Sequence, residues 1–197
     1  MADTSTVRAS REDRRLHLLE AADRVITRDG PAASMQAIAA EAGITKPILY
    51  RHFGDKGGLL RALAEHHTDV LLAELRVALA APGNLRARTS STIEAYLRAI
   101  EERPEVYRFL TRGPGREEPE VTWTVDVFAR RLGDELATGI SVELRFGPDE
   151  QTRALSWGHG IVGLVRAAAD VWLERRHVPR DKLRDQLVAL LWGEFSH

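Results

Sequence analysis

One short stretch near the N-terminus concentrates side chains that can donate hydrogen bonds. It holds Lys46, Tyr50 and His52, and Lys56 follows shortly after. Tyrosine, histidine and lysine side chains are common donors to the phosphate oxygens of nucleic acids. Acids and bases are frequent along the chain, but none is paired at a spacing that stands out from an ordinary charged surface. The stretch therefore predicts binding to phosphates rather than catalysis.

Two short predicted helices must position these donors. Ser34 can cap the first helix and Thr45 the second, which runs through His52, while Gly43 lies where the chain turns between them. Helices this short are marginal in water, so they must pack on each other and on longer neighbours. The residues that we expect to face inward are Ile38, Ala39, Ile44, Leu49 and Phe53.

The second short helix is left with one face outward. This packing predicts a helix-turn-helix, whose second helix enters the major groove of DNA with its N-terminal end nearest the bases. The first turn, at Thr45, presents backbone N–H groups that suit a phosphate. The side chains that we expect on the outward face are Lys46, Pro47, Ile48, Tyr50, Arg51 and His52.

The same region resembles the DNA-binding signature of the tetracycline-repressor (TetR) family in order, spacing and residue type. The matching residues are Ile38, Ala39, Ala42, Gly43, Ile44, Thr45, Leu49, Tyr50, His52, Phe53, Lys56, Leu59 and Leu60. The resemblance implies an all-helical dimer with about nine helices per chain. In this family the first three helices read DNA, the body holds an inducer pocket and the last two helices form the dimer interface.

The resemblance also implies roles for single residues. Lys56 falls on the family's phosphate-binding lysine, and the sequence then departs from the family, because Gly57 and Gly58 follow where a helix-favouring residue is common. Each glycine costs a helix roughly 1 kcal/mol relative to alanine, so we expect a soft first turn there. The residues that fall at the family's other DNA-contacting positions are Gln36, Lys46, Pro47, Ile48, Tyr50 and His52.

The rest of the chain also predicts helices, because apolar residues recur at three- and four-residue spacing and strand signals are absent. We expect an all-α protein with a helix-turn-helix DNA-binding domain over residues 1–55 and a helical ligand-binding and dimerisation domain over residues 56–197. The helices that we predict outside the helix-turn-helix cover about residues 11–28, 55–80, 84–102, 104–110, 119–146, 148–172 and 179–195.

Composition excludes several classes. The 197 residues include no cysteine, which excludes disulfides, thiolate metal sites and cysteine nucleophiles. No apolar run approaches the roughly 20 residues of a membrane span, and residues 1–6 lack a signal-peptide core, so we expect a cytoplasmic protein. Residues 1–60 hold nine Arg or Lys against eight Asp or Glu, so a DNA-binding face must come from local arrangement. One candidate group is Arg8, Arg11, Arg14 and Arg15.

The body of the chain is rich in aromatic residues that could line a cavity for an apolar or amphipathic effector. Aromatic residues at helical spacing also suit an ordinary core, and a buried, hydrogen-bonded histidine is the plainer interpretation of His159. The residues that we predict for an effector site are Tyr96, Phe109, Trp123, Phe128, Trp157 and His159.

The last two predicted helices carry apolar seams that suit bundling. Gly158, Gly160 and Gly163 lie in the first of them, and three glycines make most sense where another backbone approaches closely. Two copies of this helix pair could form an isologous homodimer interface. The alternative is that both seams belong to the core of one protomer. The seam residues are Trp157, Ile161, Leu164, Ala168, Val171, Leu183, Leu187 and Leu190.

We therefore predict a regulator that binds double-stranded operator DNA as a homodimer, most simply a repressor released by a small effector. A regulator without a small ligand is an alternative, and an enzyme is a weaker one, since catalytic motifs are missing. His66 and His67 are adjacent, so they point about 100° apart on a helix and suit no shared metal ion. No catalytic residue, metal or cofactor is predicted, and no membrane partner.

Overall fold

A computed structural model describes residues 3–30, 33–112 and 119–193. Within these ranges the chain is all-α, with nine helices and one 3₁₀ turn at Pro148–Glu150. None of the helices, as far as the chain is described, combines the length and apolar content of a membrane span. The helices are α1 Asp3–Asp29, α2 Met35–Glu41, α3 Lys46–Phe53, α4 Lys56–Leu79, α5 Leu85–Glu102, α6 Pro104–Arg112, α7 Pro119–Glu143, α8 Gln151–Arg175 and α9 Arg180–Leu191.

The fold class is confirmed, and several helix ends differ from prediction by two residues or more. Helix α1 begins at Asp3 rather than near Arg11, because residues 3–10 include no glycine or proline to interrupt it. Helix α7 ends at Glu143 rather than at Phe146, since Arg145 adopts a left-handed φ of 55°, which a helix cannot continue. Helix α9 ends at Leu191, and the predicted end at Phe195 lies outside the described residues.

The chain divides into two compact units. The first comprises Met1–His67 and Glu105–Val125, and the second comprises Thr68–Pro104 and Asp126–His197. The boundary after His67 falls inside α4, whereas the sequence predicts a functional boundary between residues 55 and 56. That functional division stays a prediction.

In the first unit α1 packs on α2, and α2 on α3, around one apolar core. Four of the five residues predicted to face inward are buried, and Ile44 packs half-buried against them, which confirms the predicted packing. His67 Nε2 and Asp23 Oδ1 lie 2.8 Å apart and join α4 to α1. The core residues include Leu18, Ala22, Val25, Ile26, Ile38, Ala39, Leu49, Phe53, Leu59 and Leu63.

In the second unit α5 packs against α8 and α9. Arg180 of α9 donates to Glu94 at 2.8 Å and to Glu101 at 2.6 Å, both on α5. Leu183 and Leu187 of α9 are buried within the protomer, which agrees with the alternative that these seam residues belong to the core of one protomer. Val171 and Leu190, from the same predicted seams, are 43% and 44% exposed.

Helices α7 and α8 cross in close backbone contact inside the second unit. A Cβ added at Gly158 would lie 2.3 Å from the carbonyl oxygen of Gly133 and 2.8 Å from the backbone nitrogen of Ala137. The His159 ring covers Gly133, and its Nε2 lies 3.0 Å from Asp134 Oδ1. His159 is hydrogen-bonded as predicted, but it is exposed, so its predicted burial is wrong.

Candidate nucleic-acid interface

The first short helix of the pair is fixed at both ends by its own residues. The Ala37 N–H donates to Ser34 Oγ at 3.1 Å, which confirms Ser34 as its N-cap. At the other end Gly43 has a φ of +66°, and the Ile44 N–H donates back to the Ala39 carbonyl at 2.9 Å. Because a left-handed φ favours glycine, Gly43 is required for the turn between the two helices.

The second short helix begins differently from its prediction. Thr45 occupies the N-cap position with an extended backbone, but its side chain accepts no capping hydrogen bond within the described chain. The predicted side-chain cap is therefore wrong. Pro47, at the second helical position, has no N–H to donate, and the Ile48 N–H donates to the Thr45 carbonyl at 3.0 Å. The exposed Thr45 hydroxyl is thus left for other partners.

Helix α3 has a buried face and an exposed face, but two of the residues predicted to face outward are only half-exposed. Leu49 and Phe53 are buried, whereas Ile48 and His52 are half-buried. Lys46 Nζ lies 5.6 Å from the centre of the Tyr50 ring, one helical turn away. The residues left exposed at the predicted DNA-contacting positions are Gln36, Thr45, Lys46, Pro47, Tyr50 and Lys56, together with Arg51.

Three carboxylates of the first unit are engaged in internal contacts. Arg24 Nε donates to Glu41 at 2.7 Å, and Arg28 Nε donates to Asp29 at 2.7 Å. These hydrogen bonds hold the pKa of the Glu41 and Asp29 carboxyls below their usual values. Asp55 Oδ1 accepts from the Gly58 N–H at 2.7 Å, so Asp55 caps α4.

The cations of α3 and of the start of α4, by contrast, are not paired in this way. Lys46, Arg51 and Lys56 form no ion pair with a carboxylate in the described part of the chain. A nearly balanced count of charges in residues 1–60 therefore coexists with a positively charged face around α3. Such a local face is what a DNA backbone requires.

The first turn of α4 is more constrained than its two glycines suggest. A Cβ added at Gly58 would lie 2.0 Å from the Phe53 carbonyl oxygen. The glycine therefore allows the end of α3 to approach the start of α4, and an alanine there would collide with backbone. Alanine at this position would therefore not simply stiffen the turn.

Gly58→Ala is expected to destabilise the first unit by about 2–3 kcal/mol and to weaken DNA binding, because α3 and α4 must separate to admit a methyl group. Thermal unfolding and a gel-shift titration measure the two effects. Gly139→Ala in α7 is the matched control, since nothing lies within 4 Å of a Cβ there. It is expected to raise stability by about 0.4–1 kcal/mol. Equal unfolding temperatures for the two variants would contradict the close approach.

The residues predicted for an effector site are not gathered at one described cavity. Tyr96 is buried, Phe128 is half-buried, and Trp157 is 47% exposed with its ring 5.7 Å from that of Phe146. His159 is exposed beside Asp134. The Phe109 and Trp123 side chains lie outside the described residues.

The second unit also contains an open groove of about 520 Å³ that the sequence analysis missed. Arg76 is held there by Glu135, which accepts from Nε at 3.0 Å. Charged residues seven apart on α4, at positions 69 and 76, are a sequence signal for this groove. The residues that line it are Asp69, Leu72, Arg76, Arg131, Asp134 and Glu135, so its lining is mainly charged rather than apolar.

A capped helix-turn-helix with a positively charged outer face, followed by a helical body, defines a class of DNA-binding regulators. Comparison with known families gives the same class. Residues 18–63 match the model of the bacterial regulatory proteins of the tetR family, and residues 74–197 match the tetracyclin repressor-like C-terminal domain. The chain belongs to the TetR family of transcriptional regulators. Proteins of this family bind operator DNA and act as dimers.

Individual relatives agree with this assignment. The transcriptional activator FasR of Mycolicibacterium smegmatis is 33% identical over 96% of this chain and 86% of its own length. A TetR-family regulator from Streptomyces coelicolor, 26% identical, superimposes with a TM-score of 0.75 over 93% of this chain and 80% of its own. A TetR-like regulator from Rhodococcus, 25% identical, superimposes with a TM-score of 0.68 over 91% and 93%.

Proposed function

We propose that this protein is a sequence-specific repressor that binds its operator through α3 and is released by a small effector. The observation that carries the DNA-binding part is the outer face of α3, where Lys46, Tyr50 and Arg51 are exposed while Leu49 and Phe53 anchor the helix. Selection of bound sequences from a random duplex library tests it. We expect a near-palindromic site with half-sites one helical turn, about 34–36 Å, apart. If the selection enriches no sequence from the library, the result contradicts the proposal.

We assign different roles to the residues at the predicted DNA-contacting positions. Tyr50, His52 and Lys56 bind phosphates, and Thr45, at the start of α3, approaches the backbone of the same groove. Gln36, Lys46 and Ile48 contact base edges, with Pro47 against the groove floor. The support is their position: the first group lies at the end of α3 and the start of α4, and Lys46 and Ile48 lie in the first turn of α3.

Lys46→Ala and Lys56→Ala are expected to differ in kind. Loss of a base contact at Lys46 alters the preference among operator variants by roughly 1–3 kcal/mol at the positions it reads. Loss of a phosphate contact at Lys56 weakens binding to all sequences alike and lowers the salt slope of the affinity by about one unit per DNA-binding domain. Titrations on a panel of operator variants at several salt concentrations measure both. The same pattern for both variants would contradict the assignment.

The proposed dimer uses the exposed faces of α8 and α9. A Cβ added at Gly160 or Gly163 of α8 would have nothing within 4 Å, and Val171 lies further along the helix with 43% exposure. Leu190 of α9 is 44% exposed. Small residues flanked by exposed apolar ones suit the close approach of a second helix pair, and two copies would form an isologous four-helix interface.

The proposed effector is an apolar or amphipathic molecule that binds among the helices spanning residues 84–172. Buried Tyr96 and half-buried Phe128 supply aromatic surface, and Arg131 of the groove could supply a charged contact. Native mass spectrometry of the purified protein tests for a bound small molecule. Titrating that molecule with and without operator then gives the coupling, for which 5–150-fold is typical. If the affinity for the molecule is the same with and without operator, the result favours a regulator without a small ligand.

Activation is the second candidate, and one observation favours it. FasR, which is 33% identical over nearly the whole chain, is named an activator. The geometry of DNA binding is the same for both functions, because the sign of regulation depends on where the operator lies relative to the promoter. A reporter gene under the selected operator in its natural promoter separates the two. Removing the protein raises expression if it is a repressor and lowers expression if it is an activator.

A further inference from the structure

Arg15 of α1 lies against the end of the recognition helix. Its guanidinium carbon is 5.2 Å from the centre of the Phe53 ring, and Phe53 is the last residue of α3. Phe53 is only 8% exposed, so the ring is a fixed platform, while Arg15 itself is exposed. A cation held over an aromatic ring keeps its charge and its N–H donors available to a second partner.

The position of this ring relates Arg15 to the predicted phosphate site. Phe53 is followed by Gly54, Asp55 and then Lys56, so the chain turns from α3 into α4 within three residues of the ring. Arg15 thus lies beside the same connection from which Lys56 extends. Asp55 is the carboxylate nearest to Lys56 in sequence, and its Oδ1 accepts from the Gly58 N–H.

Arg15 differs from Arg24 and Arg28 of the same helix in its partners. Arg24 and Arg28 are held by Glu41 and Asp29, at distances from 2.7 to 3.4 Å. Arg15 has no carboxylate partner in the described part of the chain. Its charge is therefore not neutralised internally, although its side chain is placed by contact with a buried ring.

We propose that Arg15 binds a backbone phosphate of the operator, next to the phosphate bound by Lys56. This inference rests on the proposed DNA-binding function and adds a contact from α1, outside the helix-turn-helix. The planar guanidinium can donate two hydrogen bonds to one phosphate, which an ammonium cannot do in the same geometry. Phe53 restricts the side chain before DNA arrives, so less rotamer freedom is lost on binding.

The test compares salt slopes of full-length variants on two probes, the operator selected from the random library and an unrelated duplex of equal length. Arg15→Gln removes the charge but keeps a long polar side chain. We expect the slope to fall by about 0.9 per DNA-binding domain, or about 1.8 per dimer, on both probes. At about 0.15 M salt this corresponds to roughly 5-fold weaker binding per domain. Arg15→Lys keeps the charge and is expected to retain the parent slope.

Arg24→Gln is the matched control, because it makes the same change of charge on the same helix, where Glu41 already accepts from Arg24 Nε at 2.7 Å. Its slope should stay close to that of the parent. Equal slopes for Arg15→Gln and the parent, or equal losses in the Arg15→Gln and Arg24→Gln variants, would overturn the inference. Thermal unfolding of each variant verifies that the fold is retained. Arg15→Ala provides a second uncharged variant, and its slope is expected to equal that of Arg15→Gln.

Lys56→Ala, measured alongside, separates this inference from the proposed function. If Lys56→Ala lowers the slope and Arg15→Gln does not, DNA binding stands and the role of Arg15 is wrong. If the parent protein enriches no operator and shows no salt-dependent binding to either duplex, the proposed function itself is wrong. A lower salt slope in both variants supports both proposals.

Discussion

Val171→Lys is expected to be monomeric and to lose specific operator binding by about 10³-fold or more. Val171 is an exposed valine on the face of α8 where Gly160 and Gly163 leave open space. In an isologous interface each residue near the two-fold axis meets its own copy, so one substitution places two like charges in an apolar contact. A monomer reads one half-site, and specific binding normally exceeds non-specific binding by roughly 10³–10⁷.

Sedimentation velocity and operator titration measure this result, and circular dichroism verifies that the helices remain folded. Val77→Lys in α4 is the matched control, because Val77 is 74% exposed and lies on a different helix. It should leave both the dimer and the operator affinity unchanged. Dimers that persist in Val171→Lys would place the interface elsewhere. Leu187 would be an unsuitable position for this test, since it is 4% exposed and a charge there would disrupt the protomer.

Local chemistry explains why the helix-turn-helix could be predicted from the sequence. The Ser34 cap, the left-handed turn at Gly43 and the apolar spacing from Ile38 to Phe53 each depend on residues a few positions apart. A single short pattern therefore determines both the elements and their packing. The cap of α4 at Asp55 was predictable for the same reason.

Contacts between residues distant in sequence account for what prediction missed. The need for glycine at position 58 comes from the Phe53 carbonyl oxygen, which only the folded turn brings close. The contact between Arg15 and Phe53 joins residues 38 positions apart. Periodicity likewise identified the apolar residues of α8 and α9, but it could not tell which of them face α5 and which face outward, because each helix has apolar residues on more than one face.

The three glycines of α8 illustrate this limit most directly. The sequence predicts that another backbone approaches all of them, without saying whose. Gly158 faces Gly133 and Ala137 of the same protomer, whereas nothing in the described part of the protomer lies within 4 Å of a Cβ at Gly160 or Gly163. One glycine therefore serves the core of the second unit, and the other two leave room for a partner.

Gly158→Ala and Gly160→Ala, two residues apart on one helix, are accordingly expected to have opposite effects on the protomer. Gly158→Ala places a methyl group 2.3 Å from a carbonyl oxygen, so α7 and α8 must separate, at a cost of about 3 kcal/mol. Gly160→Ala meets open space and favours the helix by about 0.5–1 kcal/mol. For a chain of this size, thermal unfolding should shift by roughly 2–4 °C per kcal/mol.

Both substitutions are best made in the Val171→Lys background, because a monomer removes any contribution of the dimer interface to the unfolding temperature. Gly158→Ala should then unfold at a temperature lower than its parent by roughly 6–12 °C, and Gly160→Ala slightly above it. In the dimeric parent, Gly160→Ala should instead weaken self-association, since the methyl group occupies the space that the second helix pair needs. A loss of stability by Gly160→Ala in the monomer would show that its face is not open, and unchanged dimerisation would exclude it from the interface.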